Sequence, residues 1–120
     1  MESGGLIHIV GSACRPEVEE SFNHWYDTRH VPDLLSFDEV RGATRYRLMS
    51  STEATRKPLA VAGDPTFLTI YEYENRKGYW DYRANPRRLA MVDDWNRQFA
   101  AAGGEVVWRV EYEVVKVWRK

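Results

Sequence analysis

The chain has little cysteine, no long apolar run and no surplus of either charge, and each shortage excludes a class of protein. One cysteine in 120 residues, Cys14, rules out an internal disulfide and any multi-cysteine zinc or iron–sulfur centre. No apolar run nears the roughly 20 residues that a membrane-spanning helix needs. The first residues lack the charged-then-apolar pattern of a signal segment. Seventeen Lys and Arg against eighteen Asp and Glu leave a formal charge of −1. No basic surplus is available to displace counterions from a nucleic acid. A phosphate-cradling glycine loop, a dinucleotide fingerprint and a nucleophile elbow are absent as well. These shortages predict a soluble, cytoplasmic protein of a reducing compartment, with no nucleic-acid or membrane partner. They also predict no cofactor and no metal, so that any chemistry falls to the chain's own side chains.

What the chain does have is apolar and aromatic bulk: 43% of residues are hydrophobic and 13% aromatic. A chain of this length suits one compact domain and buries enough surface to fold without staples. Residues 1–5 read as a flexible lead-in to a single domain over 1–120. Leu6-Ile7-His8-Ile9-Val10 reads as a first strand ended by Gly11-Ser12. Pro16, with Glu17, Glu19 and Glu20 behind it, opens a helix whose apolar face is Val18, Phe22, Trp25 and Tyr26. Pro32 predicts an end or kink near His30, with one more turn over Asp33-Leu34-Leu35. Ala43–Met49 reads as a second strand, 51–64 as a loop longer than usual, and Thr66–Glu74 as a third strand. A helix follows from Asn75, broken and restarted at Asn85-Pro86. The restarted helix carries Leu89, Val92, Trp95 and Phe99 on one face and stops at Gly103-Gly104. Val106–Trp118 reads as the last strand. The order β-α-β-β-α-β is that of a ferredoxin-like α+β fold: a four-stranded antiparallel sheet with two helices on one face.

Strict alternation puts Phe67, Thr69, Tyr71 and Tyr73 on one face of the third strand and Leu68, Ile70 and Glu72 on the other. In the last strand it sets Val107, Arg109, Glu111 and Glu113 against Val106, Trp108, Val110, Tyr112 and Val114. Both faces are greasier than a water-facing sheet. Two helices cover one face, so the other is expected to pack against a second copy of the chain; the alternative is a monomer with a mildly greasy face.

The densest cluster of reactive side chains is His24-Trp25-Tyr26-Asp27-Thr28-Arg29-His30. Phe22, Tyr26 and His30 form an i, i+4 stripe beside Trp25. If His30 ends the helix, the helix dipole raises its pKa. His24 and His30 differ by about 9 Å in rise and about 120° in azimuth on an unbroken helix, too far to share one zinc. His8, inside an apolar strand, is either a hydrogen-bonded core residue or a group facing a helix–sheet cleft. The candidate catalytic residues are therefore His30, Tyr26, His8 and Asp27. Aromatic rings around such a cleft suit a flat ligand, and Phe22, Trp25, Tyr46, Tyr71, Trp80 and Trp95 are the candidates. Arg45, Arg47, Arg109, Glu111 and Glu113 lie within strands, where they form cross-strand pairs or, for an arginine, hold a ligand carboxylate or phenolate. Arg47 is the candidate for that role. Cys14 beside Arg15 has no partner base and reads as a structural thiol.

Phe22–Leu35, Gly42-Ala-Thr-Arg-Tyr-Arg47 and Phe67–Glu74 together resemble the EthD-like families of the dimeric α+β barrel superfamily. In those families a Trp-Tyr…His-x-Pro segment ends the first helix and a Leu-x-x-Tyr-Glu-type strand follows a long loop. The resemblance spans roughly residues 6–118. It implies a homodimer with sheets packed face to face and a pocket between each sheet and its helices. It implies, too, proton transfer by a histidine or tyrosine of the first strand or first helix, positions matched by element in His8, Tyr26 and His30. Three functions share such a pocket: a cofactor-independent isomerase, cyclase or lyase of small aromatic or polyketide-like carbonyl compounds, a non-catalytic binding or accessory dimer, and a cofactor-free monooxygenase.

Overall fold

The structure is a computed structural model that describes residues 3–49 and 64–120. Four strands, β1 (Leu6–Cys14), β2 (Val40–Arg47), β3 (Phe67–Tyr73) and β4 (Gly104–Glu113), form one antiparallel sheet in the order β2-β3-β1-β4. Between β1 and β2 run a 3₁₀ turn (Pro16–Val18), α1 (Glu19–Trp25), a π turn (Tyr26–His30) and α2 (Val31–Leu35); α3 (Arg76–Ala84) and α4 (Pro86–Ala101) join β3 to β4. The ferredoxin-like α+β order is thus present. No helix among the described residues is long and apolar enough to cross a membrane.

Local chemistry accounts for the helix boundaries. The Asn75 side chain accepts from the Gly78 amide at 2.9 Å and opens α3. Asn85 accepts from the Arg87 amide at 2.9 Å, and Pro86 behind it starts α4 as a new helix. Gly103, at φ +82°, supplies the left-handed residue that ends α4. Pro32 disturbs the helix near His30, as expected, and does so by widening it. It has no N–H for the Thr28 carbonyl, and its ring crowds that carbonyl in a regular helix. The chain widens into the π turn, the Val31 amide bonds back to the Tyr26 carbonyl, and the helix continues into α2 rather than ending at His30.

Strand limits shift as well. β1 runs on through Gly11 and Ser12 to Cys14, because a bulge there lets it keep its pairing with β4. Gly11 is required at this crossing: a Cβ would sit 2.9 Å from Pro65 and 3.1 Å from the Trp108 ring. The bulge also breaks alternation. Ser12 pairs with Val106 and Gly11 with Trp108, so Val106 joins Arg109 and Glu111 on the helix side instead of sharing a face with Trp108. β4 ends at Glu113 rather than Trp118. Residues 3–5 are not a loose lead-in, since the Gly4 amide bonds to the Val114 carbonyl at 2.8 Å and the Val114 amide to the Gly5 carbonyl at 2.7 Å. The expected loop over 51–64 lies outside the described residues apart from Asp64.

Leu6, His8 and Val10 of β1 and Phe67, Thr69, Tyr71 and Tyr73 of β3 are all buried on the helix side. Leu34, Phe37, Val40, Tyr79, Tyr82 and Trp95 close over them to form the core. Ile7, Ile9, Leu68, Ile70, Trp108 and Val110 lie on the opposite face and stay partly exposed.

Candidate active site

The layer between sheet and helices encloses a cavity of about 470 Å³, within the range of small-molecule pockets. Its floor is His8 and Val10 of β1, Tyr71 and Tyr73 of β3, and Val106, Arg109 and Glu111 of β4. The π turn, α2, α3 and α4 supply the roof.

His8 reaches the cavity because it shares the helix-facing register of β1 with Leu6 and Val10. It pairs across the sheet with Tyr71 on one side and Glu111 on the other. Its Nδ1 lies 3.1 Å from Glu111 Oε1, and the Tyr79 hydroxyl donates to the same oxygen at 2.7 Å. Burial lowers the His8 pKa, opposed by the Glu111 charge and deepened by Arg109. The ring is therefore neutral at neutral pH, and the contact is a hydrogen bond rather than a full ion pair. An ionised carboxylate can only accept, so Nδ1 carries the proton and Nε2 keeps its lone pair. The bond from Tyr79, with His8 beside it, holds the Glu111 carboxyl below its ordinary value.

His30 is held by rings. The π turn aligns residues five apart, and the imidazole stacks on Trp25 with centroids 4.9 Å apart and 18° between planes. Tyr26 and Trp95 meet it edge-on at 5.2 and 5.4 Å. Its Nδ1 is buried without a hydrogen-bond partner among the described residues. Burial drives its pKa down to about 4, against the pull of Asp33 and with a push from Arg109. The expected rise is thus reversed, because the helix does not end at His30 and the ring is desolvated instead.

Phenols line the rest. Burial pushes Tyr71 and Tyr73 well up, and Tyr79 to about 12, so each stays a hydroxyl donor. Trp95 borders the cavity with its Nε1–H given to Asp33 at 3.2 Å.

His8, Tyr26, His30, Tyr71 and Trp95, all candidates from the sequence, meet in this one cavity. The others do not line it. Asp27 is exposed and paired with Arg45 at 3.0 Å, on the helix face it shares with Asn23 one turn earlier. Phe22 is fully buried under α1, and Trp25 stands behind His30 with Nε1–H on Gln98 at 2.9 Å. Tyr46 pairs with Leu68 on the open sheet face. Trp80 is exposed on α3. Arg47 is paired with Glu19 over the Phe67 ring. Tyr79, Tyr82, Arg88, Arg109 and Glu111 complete the cavity without having been singled out as its site residues. A signal existed for two of them: Arg109 and Glu111 are charged residues two apart in a strand, placed on one face by alternation.

Fold and cavity together define a ferredoxin-like α+β domain with a ligand-sized chamber between sheet and helices. More narrowly, the chain belongs to the family described as a domain of unknown function, DUF4286, whose model matches residues 6–102. No curated protein matches the chain. Among solved structures it is similar to HapK from Hahella chejuensis, with a TM-score of 0.64 at 11% identity over 96% of this chain and 97% of that one. An EthD family protein from Bacillus halodurans gives a TM-score of 0.60 at 14% identity, over 90% and 97%. A dimeric protein of unknown function from Bacteroides fragilis gives 0.52 at 18%, over 94% and 99%. At these identities the likeness carries the fold.

Proposed function

We propose that the protein is a cofactor-independent acid–base enzyme, an isomerase, cyclase or lyase, acting on a small aromatic or polyketide-like carbonyl compound in this cavity. One observation carries the reading: a buried histidine whose tautomer is fixed by a carboxylate, on the floor of a chamber walled by phenols. In this scheme His8 Nε2 takes a proton from a carbon next to the substrate carbonyl. Glu111 then steadies the imidazolium that forms, and Tyr79 holds Glu111. The developing enolate oxygen accepts hydrogen bonds from the cavity hydroxyls or from His30. Neutral His30 suits that donor role better than proton carriage, since a base with a pKa of about 4 is poorly matched to neutral pH. Return of the proton from His8 to a different carbon completes an isomerisation; in a cyclisation the enolate carbon first bonds to a second carbonyl carbon, and the proton goes to the alkoxide oxygen that this leaves.

The test is exchange in deuterated water. Aryl ketones and lactones are incubated with the protein without added cofactor, and deuterium uptake beside the carbonyl and new products are followed by NMR and mass spectrometry. Exchange should fall about 10²–10⁴-fold in His8→Gln. An equal rate in that variant removes His8 as the base. Saturable binding with no exchange and no product leaves a binding protein in the enzyme's place.

The same reading includes a homodimer. Ile7, Ile9, Leu68, Ile70, Trp108 and Val110 form a contiguous apolar face that no element of the chain covers among the described residues, and faces of this kind mark interaction surfaces. A dimeric neighbour of the same fold supports it. Light scattering should give twice the chain mass, and Ile70→Asp should halve it while the monomer keeps its helix content. A monomeric native protein ends this part of the reading.

A further inference from the structure

Charge is unevenly paired on the helix side of the sheet. Arg45 is neutralised by Asp27 at 3.0 Å, Arg47 by Glu19, and Arg76 by Glu113. Arg109 has neither an ion pair nor a hydrogen bond among the described residues, although it stands on the cavity floor two residues from Glu111. Glu111 is already engaged by His8 and Tyr79. Two more guanidiniums border the same cavity. Arg83 likewise has no carboxylate partner among the described residues, and Arg88 keeps its Nε buried and unbonded while one Nη donates to the Arg83 carbonyl at 3.1 Å. Three guanidiniums thus face one carboxylate around the chamber, in a chain whose formal charge is −1. The excess is local, and its charge is felt inside: Arg109 bears on both His8 and His30.

Arg109 stands exposed at the open rim of the cavity, while Arg88 is half-buried, and a half-buried guanidinium without a carboxylate loses hydration and gains nothing back. A planar oxyanion restores what is missing, because a carboxylate takes two parallel N–H bonds from one guanidinium. The remaining walls are rings, which suit the flat body of the same molecule.

We propose that the cavity's ligand is an aromatic acid whose carboxylate is held by Arg109, with Arg88 as the second donor. This rests on the reading of the cavity as a ligand site and adds what that reading lacks, the charge of the substrate. Arg109 is here a specificity-determining residue: it fixes one end of the ligand while His8 and Glu111 work on another part.

Three probes of one shape separate the possibilities: 1-naphthoate, 1-naphthamide and 1-naphthylmethylammonium, titrated calorimetrically into the intact protein. Naphthoate should bind at least roughly 10-fold more tightly than naphthamide, and the ammonium weakest of all. The preference should shrink as salt rises, since the rim is partly open to solvent. Arg109→Gln should erase the preference, costing naphthoate far more affinity than naphthamide. Arg109→Lys should keep part of it, which separates lost charge from lost structure. Equal binding of naphthoate and naphthamide, or a preference that survives Arg109→Gln, overturns the proposal and leaves the cavity reading standing. If none of the three binds, the cavity reading falls and the proposal with it.

Discussion

The layer between helices and sheet is solid at one end and hollow at the other, and aromatic rings build both. Under α1, Phe22 has no exposed surface and lies 5.9 Å from Phe67, 5.7 Å from Phe99 and 5.4 Å from Tyr26, centroid to centroid. Below α3 and α4, Tyr71, Tyr73, Tyr79 and Tyr82 surround about 470 Å³ with two imidazoles. The solid end is built mostly of phenyl rings; the hollow end, which Phe99 and Trp95 also border, is dominated by phenols and histidines. A phenyl ring gains from contact on every side. A phenol or imidazole must also place a polar atom, and a chamber gives it somewhere to point. Where the chain left its core unfilled, it also changed the chemistry of the rings that line it.

The sharpest way to break this comparison is to cut the solid end. Phe22→Ala should destabilise the fold by about 3–5 kcal/mol, the range for a large aromatic removed from a close-packed site. Urea denaturation monitored by tryptophan fluorescence checks it. A loss under about 1 kcal/mol, of the size expected at adaptable sites, would mean that this end is as loosely filled as the other.

His30 gives the next largest effect, through pH. Its folded pKa of about 4 lies below the ordinary 6.5, so between those values the unfolded chain binds the extra proton. Stability contributed by the neutral ring is complete above pH 6.5, declines as pH falls, and is gone below about pH 4. The shift corresponds to about 3 kcal/mol. Denaturation midpoints measured across that window should fall in the native protein and fall less in His30→Gln. An identical slope in both would show that the ring is solvated and not walled in by Trp25 and Trp95.

Much of this contrast was legible in the sequence, and its limits have physical causes. Strand alternation placed His8 with Leu6 and Val10, and Tyr71 with Tyr73, on the face that forms the cavity floor. Helical spacing brought Tyr26 and His30 to one edge. Two local breaks in periodicity hid the rest. The π turn adds a residue to one helical turn, which stacks His30 on Trp25 instead of exposing it at a helix end. The β1–β4 bulge shifts alternation by one, which turns Val106 inward. Neither break has a one-residue signature. Pro32 announces a disturbance without saying whether the helix stops or widens, and Gly11-Ser12 reads as a strand end although pairing continues past it. Trp80, Tyr46 and Arg47 were drawn toward the site by residue type alone, and type does not say which face a residue takes.

Filling the hollow end is the mildest change and the one that isolates function from stability. Val92 projects from α4 at the cavity wall, partly buried and packed against the core. Val92→Phe adds a ring where there is volume to receive it, so no neighbour must leave its rotamer and the lost void offsets the strain. Its stability should differ from the native protein by under about 1 kcal/mol, as for tolerated core swaps. The same ring occupies the space a flat ligand needs, so naphthoate binding and proton exchange should both disappear. The pairing of these two readouts is what matters: Phe22→Ala removes a ring and costs stability, whereas Val92→Phe adds one and costs only the site. A variant that keeps binding would place the ligand elsewhere on the fold, and one that unfolds would show that the chamber cannot take a ring where the structure leaves room for it.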